Sequence, residues 1–523
     1  MKSNSYFAVA VLALILAVAS GAAYGSDMDG TVKLGGVIID DEGNPGVNQS
    51  TFNTYEGVAL SLEKFRYNFD NGARLYADLK NITMNNRRLR VSLKQVGRYG
   101  VSFNNSQYRR LYSQDGSRFT RRRQTGGEAW VQPVDFARLY GGYNRTDRYG
   151  DQVALFSDLG APRVYEVNYT NTAVHGGLTL EKDRRQLDVN YRTTSYTDEL
   201  GVAGDRSGNR FRTTLRSPLP RFDNVVVYGG FQNYRYKVDE SSDTLTANTG
   251  WFGGLASLRQ GFSLRGNFIW DRARRTGDLS ASDNLATAFY LGKTWVQQGG
   301  LTVGYTHYIN DDVRDELSGD GYHIAGWYAF NPRLMLKAGY GSEQTEVNAG
   351  RTLVGNEDKT SEYASIRYQF RPGSQARISI ANRSRENDEI GSSADYFRFG
   401  ADLFYVDKKY GELSLAYSYL DGEYEYSDGQ FAFRDHVISG DVSLPEYERV
   451  TLSGGGSYVR SLEDIDIESF SVRVSASFDL NGTQSVEFTY TAHNFDDLSN
   501  LKTPPYVRYY TANIVEINLV SGL

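Results

Sequence analysis

Apolar and polar side chains alternate one for one along stretch after stretch of this 523-residue chain, and that rhythm persists to the C-terminus. Phe470, Val472, Val474, Ala476, Phe478 and Leu480 interleave with Ser471, Arg473, Ser475, Ser477 and Asp479. Leu187, Val189 and Tyr191 stand against Gln186, Asp188 and Asn190, and Ile366, Tyr368 and Phe370 against Ser365, Arg367 and Gln369. Val486, Phe488 and Tyr490 alternate with Glu487, Thr489 and Thr491. A period of two puts one apolar and one polar face on each pleated strand.

One-sided strands can stack as soluble sheets or close into a barrel in lipid. Strands of soluble sandwiches are about 5–6 residues long with aliphatic inner faces. Here the runs are about ten residues, the length a tilted strand needs to cross a bilayer. Aromatic residues make up 13% of the chain, with 39 Tyr, 26 Phe and 5 Trp. They gather at strand ends, as at Tyr405, Tyr417 with Tyr419, and Tyr509 with Tyr510. Interfacial aromatic girdles have this arrangement. A mean hydropathy of −0.50 excludes a polytopic helical membrane protein. The expected fold is therefore all-β: a single large antiparallel transmembrane β-barrel.

The N-terminus reads as a secretory signal. Lys2 supplies a positive start, Phe7 to Ala19 an apolar run, and Ala23-Tyr24-Gly25 the small residues a signal peptidase reads. Residues 1–25 are expected to be removed before Ser26, leaving 26–523 as an outer-membrane barrel that reaches its membrane through the periplasm.

Turn lengths set the expected topology, because outer-membrane barrels have short periplasmic turns and longer outer loops. Short turns fall at Asn481-Gly482, Pro445-Glu446, Lys408-Lys409, Pro372-Gly373, Asn331-Pro332, Gln298-Gly299, Arg259-Gln260, Pro218-Leu219-Pro220 and Asp183-Arg184. Longer polar loops lie between them at Leu498–Pro505, Glu463–Ile465, Asn387–Ser393, Glu346–Lys359, Asp311–Gly319, Thr276–Asn284, Asp239–Thr244 and Thr197–Gly208. Towards the N-terminus, Gly30–Ile38, Gly57–Phe69, Ala73–Ile82, Asn86–Gln95, Tyr99–Asn104 and Phe136–Asn144 read as strands. Parity asks for one more, placed at Asp151–Phe156, with Arg109–Gln132 as a long outer loop. The count is about 26 strands, within 24–28, with both termini in the periplasm.

About 26 strands some 4.8 Å apart give a barrel roughly 50 Å wide. A small folded domain is roughly 30 Å across, so a second protein would fit the lumen. The first strand is expected to start within a few residues of the expected cleavage site, so no N-terminal plug domain is expected.

Several short motifs occur in order: Gly30-Thr-Val-Lys-Leu-Gly-Gly36, Phe52-Asn-Thr-Tyr55-Glu-Gly57, Gly97-Arg-Tyr-Gly100, Pro133-Val-Asp-Phe136-Ala-Arg138, Tyr169-Thr-Asn171 and Tyr191-Arg-Thr-Thr-Ser195-Tyr196. With these, the chain resembles the decahaem-associated outer-membrane barrels of the MtrB/PioB type, most clearly over residues 30–200. The resemblance implies a sheath around a periplasmic multihaem c-type cytochrome, the pair moving electrons across the outer membrane. Some members carry a Cys-x-x-Cys near the N-terminus, whereas this chain has no cysteine. It also ends in Leu523 rather than the terminal aromatic common in such barrels, although Val515, Ile517 and Leu519 keep the lipid-facing alternation.

Candidate chemistry is sparse. Without cysteine there can be no disulfide, thiolate metal site or covalently attached haem on this chain. His175, His307, His323, His436 and His493 show no metal-ligand spacing and read as wall or loop residues. Gly454-Gly455-Gly456 sits in a strand, so a bulge or close packing is expected there rather than a phosphate loop. No catalytic constellation can be assigned, so no catalytic, cofactor or metal residue is expected and haem is expected only on the partner. Arg109, Arg110, Arg118, Arg121, Arg122 and Arg123, interleaved with Tyr108, Tyr112 and Phe119, read as an outer loop facing solvent, anionic lipopolysaccharide or an outer cytochrome. The mild net charge of −6 argues against nucleic acid. If the apolar faces meet lipid, Arg192, Arg265, Asp271, Arg367, Arg377, Arg398, Asp402, Arg473 and Asp479 line the lumen. Two functions fit: the cytochrome sheath, and a passive diffusion porin or solute channel narrowed by loops. The chain itself is expected not to be an enzyme.

Overall fold

The computed structural model describes residues 28–43, 54–111, 118–154, 163–202, 204–238, 244–276, 281–296, 298–312, 316–348, 356–387, 389–426, 429–498 and 509–523. The signal-peptide reading of residues 1–25 lies outside them. Among the described residues, 26 strands (β1–β26 in chain order) form one sheet in which each pairs antiparallel with its sequence neighbour. The sheet closes where β1 (Met28–Gly43) pairs with β26 (Tyr509–Gly522), from Thr31 opposite Gly522 to Gly43 opposite Tyr510. Across this seam Lys33 Nζ reaches over β26 to Glu487 Oε2 on β25 (Gln484–Asp497) at 3.1 Å. Leu523 N–H donates to Gly30 O at 2.9 Å. Closure removes the exposed edges an open sheet would carry. It also puts both ends of the described chain at one rim.

That rim carries tight turns. Between β8 (Arg163–Lys182) and β9 (Arg185–Asp198), Asp183 and Arg184 both have positive φ, 52° and 64°, the type I′ geometry that matches the twist of a two-residue hairpin. Gly373, at φ 79°, turns the chain between β18 (Glu357–Arg371) and β19 (Ser374–Asn387), where a side chain would be strained. The strict short–long alternation is not kept, however. β22 (Gly429–Ser443) and β23 (Val450–Glu463) are joined at the tight rim through residues 444–449, while the opposite rim is crossed by 464–466 alone. β21 (Gly411–Tyr426) also ends and β22 begins at that rim, where no connection was expected.

The N-terminal reading needs a larger correction. Arg109–Gln132 is not one long loop. β5 (Tyr99–Leu111) continues past Arg109, and β6 (Phe119–Val134) returns through the rest, in register from Leu111–Phe119 to Tyr99–Val131. Asp151–Phe156 is not a separate strand either. Asp151 to Ala154 end β7 (Ala137–Ala154), which also absorbs most of Phe136–Asn144; residues 155–156 lie outside the described ones. Between Tyr99 and Lys182 one strand was missed and one invented, so the count over that stretch survived two opposite errors.

The register fixes the faces. In β24 (Ile467–Asp479), Phe470, Val474 and Phe478 share one face with Leu452 of β23 and Phe488 of β25, all 40–50% exposed. This apolar face is the convex one. On the polar face, side chains repeatedly bridge strands that are not neighbours. Tyr140 of β7 reaches Asp188 of β9 at 3.1 Å, and Asp441 of β22 reaches Arg473 of β24 at 3.4 Å. Tyr308 of β15 (Gly299–Asp312) reaches Glu343 of β17 (Leu334–Asn348) at 3.3 Å. Side chains converge on the concave side of a curved sheet, which makes such reaches possible there. The polar face therefore lines the lumen and the apolar belt, bordered by aromatics such as Tyr143, Tyr322, Tyr328 and Phe330, faces outward.

Candidate functional site: the lumen wall

The expected lumen residues Arg192, Arg265, Asp271, Arg367, Arg377, Arg398, Asp402, Arg473 and Asp479 all fall on the polar face by register. Each alternates with an outward neighbour such as Tyr191, Leu264, Trp270, Ile366, Ile378, Phe397, Val474 or Phe478. The structure adds how these charges are distributed around the wall.

One arc is basic. On β10 (Arg206–Leu219), Arg206, Arg210, Arg212 and Arg216 point inward, because Phe211 and Leu215 between them face out. Arg192 of β9 lies directly opposite Arg210, and Arg138 of β7 belongs to the same arc. Carboxylates here are few: Glu128, Glu181, Asp188 and Asp198. Asp188 is engaged by Tyr140 and by Thr179 Oγ1 at 2.8 Å. Like charges directly opposite on one sheet face are destabilising. The Nε atoms of Arg192 and Arg210 are buried with no hydrogen-bond partner. This part of the wall is not neutralised from within.

The late arc is acidic. Asp435, Asp441, Asp479, Glu487 and Glu516 face inward on β22 to β26, with Arg473 and Lys33 as nearby cations. Gly455 explains part of the Gly454-Gly455-Gly456 run. A Cβ on Gly455 would lie 2.1 Å from Asp441 Oδ1, so the missing side chain lets Asp441 cross β23 towards Arg473. The register through this run is unbroken, so close packing holds and a bulge does not.

Two apolar islands interrupt the polar wall towards the loop-bearing rim. Tyr396 of β20 (Ser392–Asp407), Tyr424 of β21 (Gly411–Tyr426), and Phe431 and Phe433 of β22 form an aromatic cluster with ring centroids 5.3–6.3 Å apart. At the seam, Val37, Ile39, Tyr510, Ala512 and Ile514 pack together, the last three buried.

The histidines are dispersed. His175 and His323 face the lumen on β8 and β16 (Glu316–Asn331), and His493 lies buried on the lumen face of β25. His307 and His436 share the outward face. His307 Nδ1 is 3.0 Å from Asp320 Oδ1, and His436 Nδ1 is 3.0 Å from Tyr417 Oη. No group of three or more metal-ligating side chains occurs among the described residues. The arginine-rich stretch divides by parity. Arg122 points into the lumen opposite Arg148, while Arg121 and Arg123 point outward.

Sequence reasoning passed over Arg138, Arg206, Arg210 and Arg212. Alternation about Phe211 could have placed the β10 arginines inward, but the Arg192–Arg210 opposition requires the β9–β10 register.

No family model matches the chain, and no curated protein matches it. Among solved structures, the siderophore receptor PirA from Pseudomonas aeruginosa is similar with TM-score 0.51 and 10% identity, over 82% of this chain and 81% of that one. A mutant of the ferric enterobactin receptor PfeA from the same organism gives TM-score 0.52 and 10% identity, over 81% and 80%. The FrpB iron transporter from Neisseria meningitidis gives 0.52 and 10%, over 95% and 82%. At such identity the likeness is one of fold, that of a large closed β-barrel.

Proposed function

We propose that this chain is an outer-membrane barrel, with its short turns and both termini in the periplasm, that sheathes a periplasmic multihaem c-type cytochrome so that electrons cross the outer membrane. The observation that carries this reading is the lumen wall. A barrel of 26 strands is roughly 50 Å wide, more than a small domain needs. Its wall has a basic arc with guanidinium Nε atoms left unpartnered, an acidic arc, and aromatic islands. Water satisfies charges, but it has no use for apolar islands. A protein surface of complementary charge uses both. The ordered motifs from Gly30 to Tyr196 supply the cytochrome as the class of partner, and this chain contributes position and insulation.

One observation favours a second reading. The inward arginines of β9 and β10 form a continuous cationic lane that would suit diffusion of small anions. Liposomes enclosing a redox dye separate the two. Barrel with cytochrome should reduce the dye from an external impermeant reductant, and barrel alone should not. A purified barrel that binds no cytochrome and passes small solutes through a stable pore would leave the porin reading standing.

A further inference from the structure

On the outward face of β5 to β7, beyond the apolar belt, the structure assigns a binding site for the phosphorylated glycolipid of the outer leaflet, the lipid A part of lipopolysaccharide. This rests on the reading that the loop-bearing rim faces the cell exterior.

The placement follows from register. Val131 lies opposite Leu139 on the lipid face. Stepping outward by twos along β6 passes Ala129, Gly127 and Thr125, then reaches Arg123 and Arg121. On β7 the same steps pass Gly141 and the exposed belt residue Tyr143, then reach Arg145. Arg109 of β5 lies directly opposite Arg121. Arg87, in the connection before β4 (Arg88–Gln95), donates through Nε to Asn105 Oδ1 at 3.0 Å, and Asn105 is opposite Thr125. The arginines thus converge just above the aromatic level, where the phosphates of the outer leaflet lie.

Their neutralisation differs from that of three outward arginines elsewhere. Arg272 has Asp283 at 3.2 Å, Arg434 has Glu463 at 3.1 Å, and Arg460 has Asp466 at 2.8 Å. In the β5–β7 cluster, Asp147 pairs with Arg145 at 2.8 Å, and the ion pairs among the described residues include none for Arg87, Arg121 or Arg123. The Nε atoms of Arg121 and Arg123 are buried without a hydrogen-bond partner, as is that of Arg272, so what sets the cluster apart is the missing carboxylate. Burial, with Arg123 and Arg121 adding their repulsion, holds Arg87 below the usual guanidinium value. The guanidinium groups are nevertheless propped in place. Arg121 donates to Tyr149 Oη at 2.8 Å, and Arg109 lies over the Phe119 ring at 4.5 Å. Pre-positioned guanidinium forks match phosphate oxygens bidentately.

Below the cluster the wall has room for acyl chains. Gly127, Gly141 and Gly176 face outward in neighbouring strands and leave a shallow trough. Val101, Val131, Leu139 and Val174 border it, all exposed. Several arginines over an apolar trough exceed what a single phosphate needs, and they fit a headgroup carrying two.

The test is native mass spectrometry of the full barrel, extracted in mild detergent and titrated with lipid A or with phosphatidylglycerol. Wild-type protein should prefer lipid A, and Arg121→Gln/Arg123→Gln should weaken that binding by about tenfold or more, as expected for loss of charge-assisted bidentate bonds. Arg272→Gln, in a carboxylate-paired control, should leave it unchanged, with heat-modifiable gel migration reporting folding of each variant. Lipid A binding that is equal in wild type and the double variant overturns the site. Absence of binding to either lipid also overturns it, without touching the orientation. Preference for phosphatidylglycerol overturns it by placing the cluster at the inner leaflet, and with it the orientation on which the proposed function rests.

Discussion

The early arc, β5 to β10, and the late arc, β22 to β26, are built of the same antiparallel strands yet differ on both faces. In the late arc β24 keeps apolar residues outward from Phe470 to Phe478. In the early arc β6 starts outward with Val131 and Ala129, thins to Gly127 and Thr125, and finishes with Arg123 and Arg121. Inside, the early arc is basic and the late arc acidic. Lipid writes the apolar half of the alternation, so a strand that climbs past the lipid loses the pattern without ceasing to be a strand. The lumen writes no such rule, because water or a partner can satisfy either sign.

The contrast breaks most sharply on the outward face of the late arc. Val474→Arg should cost about 2–4 kcal/mol if the position lies near the bilayer midplane, whereas Ser475→Arg, one residue on and facing the lumen, should be much milder. Urea titration of the refolded barrel in lipid measures both, and equal losses would reject the assigned faces. A smaller effect of opposite sign is expected in the basic arc. Arg210→Glu turns the opposition with Arg192 into an attraction, which should stabilise by about 0.2–1 kcal/mol and move the ion selectivity of the isolated barrel towards cations. Unchanged reversal potentials in planar bilayers would mean that β10 does not face the conducting lumen. The smallest effect belongs to Gly455→Ala. The new Cβ meets the end of a flexible side chain, Asp441, so the cost is loss of an exposed ion pair, offset by reduced freedom of the unfolded chain. The net change should stay within about 0.5 kcal/mol, read as a shift in denaturation midpoint.

What could be read from the sequence follows the same division. From Asp183 onward the tight turns fell where expected, because each interrupts two runs with a clear apolar face. The boundary between β21 and β22 escaped, since Tyr424, Tyr426, Phe431 and Phe433 are aromatic on the lumen face and blur the alternation across it. β6 escaped because Gly126 and Gly127 carry no side chain to alternate, and its outward arginines lie beyond lipid. β7 was read short for the same reason, as Arg145 and Asp147 occupy its outward positions. The lumen residues were legible by parity alone. Their grouping into arcs was not, because residues as distant as Arg192 and Arg210, or Asp441 and Arg473, become neighbours only through strand register.

The claim that this wall encloses a protein can be tested inside cells, and the absence of native cysteine makes the test clean. A single cysteine at Thr214, inward on β10, and another at Leu215, outward on the same strand, would each carry a photoactivatable thiol-linked cross-linker. The sheath reading predicts that the Thr214 position captures a haem-staining protein and that the Leu215 position captures none. If neither position captures such a protein, and an impermeant thiol reagent added outside reaches the Thr214 position freely, the lumen holds water and the account is wrong.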